Sequence, residues 1–213
     1  MKKSALVSTL VLAAAAATPA VSQAEVTANI GWVSDYIFRG IIQAPSSASG
    51  GVDYSSDNGF YIGTWGADVD QGLETDLYFG YSGGDKVTYT VGYTGYFYTD
   101  DFDDTYNEVN LGVGYGIFAL DVAIGKWDGF GYKQDYTFSS ITISPEKGPY
   151  FKVGGFSQDF SGSYFEVGYT WSFEDQGIDL SFTYDHSNDL AVDANGGENA
   201  IVFGIKKNFT LSK

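Results

Sequence analysis

The stretch Leu73-Glu74-Thr75-Asp76-Leu77-Tyr78-Phe79-Gly80-Tyr81 decides the fold class of this chain. Its odd positions are mostly large and apolar, whereas its even positions include two carboxylates and a glycine. Successive side chains of a β-strand point to opposite faces, so this alternation predicts a strand with one apolar and one polar face. The same alternation recurs in the segments 26–39, 87–94, 108–115, 165–173 and 178–185.

Less regular segments fill the gaps between these strands, at about 49–57, 59–68, 118–127, 135–145, 148–158 and 198–209. The total predicts about twelve strands, with ten as the alternative count. The links are too short for parallel crossovers, so consecutive strands should be antiparallel. Short links alternate with longer ones, and the longest are 40–48, 99–107, 127–134 and 187–197.

This pattern of links is typical of a membrane barrel. Outer-membrane barrels have an even number of strands of about ten residues, with short turns at one end and longer loops at the other. The apolar faces would meet lipid, and the polar faces would line the lumen. The sequence therefore predicts an all-β fold, one antiparallel transmembrane β-barrel over residues 25–213. A secreted β-sandwich with the apolar face inward is the soluble alternative.

The composition excludes several classes of function. The chain has 27 Asp and Glu against 11 Lys and Arg, a formal charge of −16. Such a balance argues against a protein that binds nucleic acid through its phosphates. Because the chain has no Cys and a single His, thiol chemistry and multi-histidine metal centres are excluded. We expect no metal and no cofactor.

The first residues have the pattern of a secretory signal. Met1-Lys2-Lys3 is positively charged, the run 5–17 is apolar, and Ser22-Gln23-Ala24 offers small residues to a signal peptidase. We predict that residues 1–24 are a cleaved signal peptide for the Sec pathway. The expected location is the outer membrane of a Gram-negative cell, with outer-membrane lipid and the barrel-assembly machinery as partners. The tail 210–213 follows the terminal aromatic Phe209, which that machinery would recognise.

Charged residues on the predicted polar faces are the candidate functional residues. The side chains expected in the lumen are Asp35, Arg39, Glu74, Asp76, Glu108, Asp121, Glu166, Asp179, Asp185 and Lys206. Carboxylates outnumber cations in this set, so the lumen should carry a negative potential that favours cations. An alternative role for these charges is a salt-bridge network that braces a narrow barrel.

Two other groups of residues resemble sites of chemistry. His186-Ser187 suggests a hydrolase pair, but adjacent strand residues point to opposite faces, and no third group orients them. We therefore expect no catalytic residues and no enzyme activity. The acidic stretches 100–104 and 193–198 carry oxygens of the kind that Ca²⁺ prefers, without the spacing of a dedicated calcium loop.

The stretch Ser34-Asp35-Tyr36-Ile37-Phe38-Arg39-Gly40-Ile41-Ile42-Gln43 resembles the opening motif of the TorF porin family. The residues that carry the resemblance are Ser34, Asp35, Tyr36, Phe38, Arg39, Gly40 and Gln43. Residues 59–65 and 73–81 also fit the sequence pattern of the TorF family. The resemblance runs from about residue 25 to the C-terminus. It implies an outer-membrane barrel with a pore role, and it supplies no catalytic residues.

The expected function is passive diffusion of small polar solutes or ions through the barrel, with a bias toward cations. Twelve strands lie between the filled eight-stranded barrels and the open larger porins, so any lumen should be narrow. The link 40–48 is the candidate for a segment that folds inward. A structural or adhesin-like outer-membrane barrel without transport is the alternative function.

Overall fold

The computed structural model of the chain describes residues 24–188 and 198–212. This part of the chain forms twelve strands: β1 Glu25–Phe38, β2 Ile41–Ser55, β3 Phe60–Asp68, β4 Leu73–Gly84, β5 Val87–Tyr98, β6 Tyr106–Tyr115, β7 Phe118–Trp127, β8 Gln134–Ile143, β9 Tyr150–Gln158, β10 Ser163–Phe173, β11 Ile178–Asn188 and β12 Asn199–Ser212. Each strand pairs antiparallel with its sequence neighbours, and β12 pairs with β1 to close the barrel. The predicted twelve-stranded antiparallel barrel is confirmed, and the ten-stranded and sandwich alternatives are wrong.

The two faces of the barrel wall differ as the alternation predicts. Leu77, Val91, Ile124 and Phe203 are examples of large apolar side chains that stay about half exposed on the outer face. Inward positions on the same strands are buried or half-buried and mostly polar. Among the described residues, no helix is long and apolar enough to cross a membrane. The predicted signal peptide falls almost entirely on residues outside the described part of the chain.

Glycines inside the strands make room for inward tyrosines. A Cβ on Gly125 would lie 2.3 Å from the ring of Tyr136, and one on Gly168 would lie 2.4 Å from the ring of Tyr150. Any side chain at these positions would push the ring off the wall. The frequent Gly and Tyr of the sequence therefore form pairs in which a tyrosine lies flat over a glycine of the neighbouring strand.

The first hairpin differs from its prediction. The expected loop 40–48 is the first part of β2, and the link from β1 is the tight turn Arg39–Gly40. The alternation also changes phase, because Val33 and Tyr36 both pack in the interior. In β2 the buried face changes phase between Ala44 and Ser47, which are both buried, and Ser46 between them has a φ of 60°. Tyr36 and Phe38, expected on the lipid face, therefore point inward.

The two ends of the barrel are distinguished by their links. We call the end with the links 39–40, 69–72, 99–105, 128–133, 159–162 and 189–198 the loop end, and the opposite end the turn end. Strand β1 begins and strand β12 ends at the turn end. Strand β12 runs on to Ser212, and Thr27 pairs with Thr210. Residues 210–212 are thus the end of the closing strand, which corrects the predicted end of that strand at Phe209.

Candidate functional site

The tip of the β1–β2 hairpin crosses the barrel interior at the loop end. Its turn residues Arg39 and Gly40 have φ values of 53° and 82°. A Cβ on Gly40 would lie 2.6 Å from Tyr164 on β10 and 3.3 Å from Ser187 on β11. These strands lie two and three places from β1 around the barrel, so the tip folds inward from the wall; the contacts of Arg39 with β6 and β8, each five places from β1, carry it across the lumen. Glycine is required at position 40 because of both the left-handed φ and the close approach.

Arg39 binds the opposite wall through Glu108 on β6. The pair is bidentate, with Nη2 3.0 Å from Oε2 and Nη1 in contact with Oε1. The guanidinium lies over the rings of Phe38 and Phe138, at 4.6 and 4.5 Å from their centroids. Arg39 was expected on the polar face of β1. It lies instead in the turn, and its side chain supplies the ion pair.

Three neutral donors complete the coordination of Glu108, whose side chain is fully buried. The Tyr96 hydroxyl donates to Oε2 at 3.0 Å, the Tyr136 hydroxyl to Oε1 at 2.7 Å, and the Asn110 amide to Oε2 at 3.0 Å. Thr94 in turn donates to the Asn110 carbonyl oxygen at 2.8 Å. A buried ion pair with its remaining lone pairs occupied holds its geometry tightly, so this network fixes the hairpin tip in place.

The other residues of the opening motif support the same hairpin. The Tyr36 hydroxyl donates to Glu74 Oε1 at 2.8 Å. Ser34 accepts the backbone N–H of Phe203 on β12 at 3.0 Å and donates to Asp35 Oδ2 at 3.0 Å. The Gln43 amide donates to the carbonyl of Ile41 at 3.4 Å. The motif therefore builds a folded-in hairpin.

Apolar side chains fill the space around the hairpin at the loop end. Tyr36 and Ala44 pack with Ala67 and with Val69, which is fully buried. Tyr36 also meets Trp65 edge to face, with ring centroids 5.8 Å apart. These contacts fill that sector of the loop end with apolar side chains.

Below the hairpin lies a cavity of about 300 Å³. Its lining begins at Phe38, Arg39 and Phe138 and extends to Thr88 and Gly114, close to the turn end. The residues of the hairpin tip stand at its loop end, and we call this cavity the vestibule. It extends from the Arg39 network toward the turn end.

Some of the predicted lumen charges are buried in the barrel interior, and the others line the vestibule. Glu74 and Glu108 are buried within the packing around the hairpin. Asp179 is buried and accepts a hydrogen bond from the Asn208 amide at 2.8 Å. The predicted charges that line the cavity are Asp35, Arg39, Asp76, Asp121, Glu166, Asp185 and Lys206.

Two charged residues of the interior were missed by the sequence prediction. Lys152 on β9 is 5 % exposed and lines the cavity, as does Asp53 on β2. The signal was present in Tyr150-Phe151-Lys152-Val153-Gly154, where the apolar Phe151 and Val153 alternate with Lys152. The expected count of two interior cations is therefore wrong, because Lys152 is a third.

Tyrosine hydroxyls hold the carboxylates of the inner wall. Tyr78 donates to Asp53 Oδ1 at 2.5 Å, and Tyr150 donates to Glu166 Oε1. Because these rings lie over Gly63 and Gly168 respectively, the glycine, the tyrosine and the carboxylate act together. Each carboxylate is thus oriented without a cation.

His186 and Ser187 are separated by the strand they share. Ser187 is buried inside the barrel. His186 lies on the outer face, against the ring of Phe165 at 5.3 Å, with its Nδ1 3.0 Å from Asn199 Oδ1. The two side chains cannot form a hydrogen-bonded pair.

The acidic loop 99–105 is ordered by its own carboxylates. Asp103 accepts hydrogen bonds from Trp127 Nε1 at 2.9 Å and from the Tyr106 hydroxyl at 2.7 Å. Asp104 Oδ2 accepts the backbone N–H of Phe130 at 2.6 Å. Burial raises the pKa of Asp103 above its ordinary value, although these donors oppose the shift. The second acidic stretch, 193–198, lies outside the described residues except for Glu198.

The fold of this barrel is that of solved porins. KdgM porin is 7% identical in sequence and superposes with a TM-score of 0.59, over 86% of this chain and 99% of that chain. NanC porin is 11% identical, with a TM-score of 0.53 over 84% of this chain and 98% of that chain. At such low identity the likeness shows a shared porin-type transmembrane β-barrel and nothing about solutes.

No curated protein matches the sequence. Residues 16–209 match the model of a family described as "Bacterial protein of unknown function (Gcw_chp)". The match includes the whole opening motif and all twelve strands except the end of β12. The description names neither a function nor the TorF family. The chain is a member of this bacterial Gcw_chp family.

Proposed function

We propose that the protein is an outer-membrane channel for passive diffusion of small polar solutes or ions, closed at its loop end by the β1–β2 hairpin. The observation that carries the proposal is an apolar outer wall around a vestibule lined with polar and charged side chains. A barrel that only anchored itself in lipid would need no such vestibule. The shared fold with KdgM and NanC porins supports the proposal.

The location and the route belong to the same proposal. The chain would reach the outer membrane of a Gram-negative cell through the Sec pathway, lose residues 1–24, and be inserted by the barrel-assembly machinery. The opening motif further supports a relationship with the TorF porins. The hairpin built by that motif would then be a common feature of those proteins.

We propose a bias toward cations in the vestibule. Asp35, Asp53, Asp76, Asp121, Glu166 and Asp185 line it, against Arg39, Lys152 and Lys206. Arg39 is neutralised by Glu108, so two lysines face six carboxylates. Low-dielectric walls focus the resulting negative field and enrich cations.

The test is planar-bilayer recording of the purified protein and of the variant Arg39→Met. The closed hairpin predicts rare or small conductance steps in the unmodified protein and larger or more frequent steps in Arg39→Met. The reversal potential in a salt gradient should show preference for cations, most strongly at low salt, where screening is weakest. Silent bilayers for both proteins would reject the channel.

A structural barrel without transport is the second candidate. The observation in its favour is the satisfied network of Arg39 and Glu108, which closes the loop end. Under this alternative, Arg39→Met loses stability but gains no conductance.

A further inference from the structure

The wall of the vestibule carries a buried lysine with no ion pair and a buried serine hydroxyl with no hydrogen-bond partner among the described residues. We propose that it is a binding site for a small zwitterion of the amino-acid type, which Lys152 and Ser140 hold by its carboxylate and Asp121 and Asp185 by its positive groups. This inference rests on the proposed channel, because it names the class of solute that would use it.

The site is continuous across five adjacent strands. Asp121 on β7 stands directly opposite Ser140 on β8, and Lys152 on β9 stands opposite Glu166 on β10. Glu166 in turn stands opposite Asp185 on β11. Residues opposite one another on neighbouring strands have Cβ atoms about 5 Å apart. Ser140 and Lys152 are diagonal neighbours, since Lys152 stands opposite Thr142, and such pairs are about 7–8 Å apart, within reach of a long side chain. All five line the same cavity, so they form one polar surface.

Lys152 is a buried cation without an ion pair in the described part of the chain. The ion pairs within 4.0 Å there involve Arg39, Lys126 and Lys133. The facing carboxylate of Glu166 is held by the Tyr150 hydroxyl instead. Ser140 Oγ is also buried and has no hydrogen-bond partner among the described residues. Leaving a buried hydroxyl unpaired is costly. An anionic oxygen of a ligand would accept its hydrogen bond and would pair with Lys152, which lines the same cavity.

The carboxylates on either side of Lys152 complete the recognition. Asp185 is 5 % exposed, and Asp121 is half-buried. Asp121 accepts no hydrogen bond from a described side chain, whereas the Asp185 carboxyl lies within hydrogen-bond reach of the Glu166 carboxyl. Three carboxylates surround one ammonium, so the site favours a ligand that adds positive charge. A basic amino acid fits this pattern better than a neutral one, and an acidic one fits worst.

The experiment is isothermal titration of the purified barrel in detergent micelles with L-lysine, glycine, L-glutamate and 1,5-diaminopentane. The last probe is lysine without its carboxylate. We expect L-lysine to bind most tightly, about tenfold or more above 1,5-diaminopentane, since a charged hydrogen bond is lost with the carboxylate. L-glutamate should bind weakest.

Two lysine variants separate recognition from general electrostatics. Lys152→Met should remove the preference for L-lysine over 1,5-diaminopentane. Lys206→Met takes the same charge from the same cavity at another level, opposite Asp179, and should keep that preference. If both variants lost the preference for L-lysine over 1,5-diaminopentane equally, the effect would come from net charge alone, and the inference would be overturned. Should Lys152→Met fail to fold by circular dichroism, Ser140→Ala should weaken L-lysine binding about threefold and leave 1,5-diaminopentane unchanged.

The outcomes distinguish this site from the channel. No saturable binding of any probe overturns the zwitterion site, while conductance in bilayers still supports the channel. Saturable L-lysine binding with silent bilayers supports the site and rejects the channel. Tighter binding of 1,5-diaminopentane than of L-lysine to the unmodified protein shows that the carboxylate is not recognised, and it also overturns the inference.

Discussion

Replacing Arg39 with methionine removes the ion pair that holds the hairpin tip. Breaking a buried pair by deleting one partner costs about 3–5 kcal/mol, because the other charge stays buried. Glu108 keeps its hydrogen bonds from Tyr96, Tyr136 and Asn110 in this variant. We therefore expect Arg39→Met to lower the free energy of unfolding by about 3 kcal/mol, the low end of that range.

The reciprocal variant should cost more. Glu108→Met leaves the guanidinium buried between Phe38 and Phe138 without its partner. It also leaves three hydrogen-bond donors without their acceptor, so we expect the free energy of unfolding to fall by about 5 kcal/mol. The double variant removes the unpaired guanidinium but leaves Tyr96, Tyr136 and Asn110 without their acceptor, so it should recover the part of that loss that comes from the unpaired charge.

The assay is equilibrium unfolding in urea with lipid vesicles, followed by tryptophan fluorescence. Lys126→Met is the matched control, because it breaks the Lys126–Asp135 pair, whose side chains are 59% and 53% exposed. An exposed pair contributes less than about 1 kcal/mol. If Arg39→Met lost no more stability than Lys126→Met, or if the double variant recovered nothing, the Arg39 network would not fix the hairpin.

Three further predictions concern the wall, the selectivity and the topology. Gly125→Ala should lower the free energy of unfolding by about 1–3 kcal/mol, because the new Cβ displaces Tyr136 from Glu108. Gly112→Ala is the control and should cost less in the same urea titration, because its Cβ meets only the movable Asp121 carboxylate, at 3.1 Å. The double variant Asp76→Asn with Asp121→Asn should reduce the cation preference that the reversal potential measures, because both residues line the vestibule. Glu74→Gln should leave this preference unchanged, since Glu74 is buried beside the hairpin. Protease added to intact cells should cut the links 99–105 and 189–198 and spare 85–86 and 116–117; cleavage in the latter pair would place the turn end outside.

Particular residues show how far the sequence prediction reached in the fold. The stretch 73–81 alternates without interruption, and the structure has Glu74 and Asp76 inside and Leu77 and Phe79 outside. In 26–39 the same rule fails after Val33, because a shift in the hairpin turns Tyr36 and Phe38 inward. A periodic pattern gives no sign of such a shift when aromatic residues suit both lipid and a packed interior.

The sequence by itself determined the barrel, because a period of two over twelve segments has few other ways to separate apolar from polar faces. It also supplied most of the interior charges. Only the tertiary structure decided what those charges do, since Arg39 and Glu108 are 69 residues apart in the chain. Closing the sheet brings β1 opposite β6 and β8, which places Arg39 in a buried ion pair with Glu108 and leaves Lys152 without an ion-pair partner among the described residues. Pairing across a lumen depends on which strands face each other and on the bend of one hairpin, and local periodicity encodes neither.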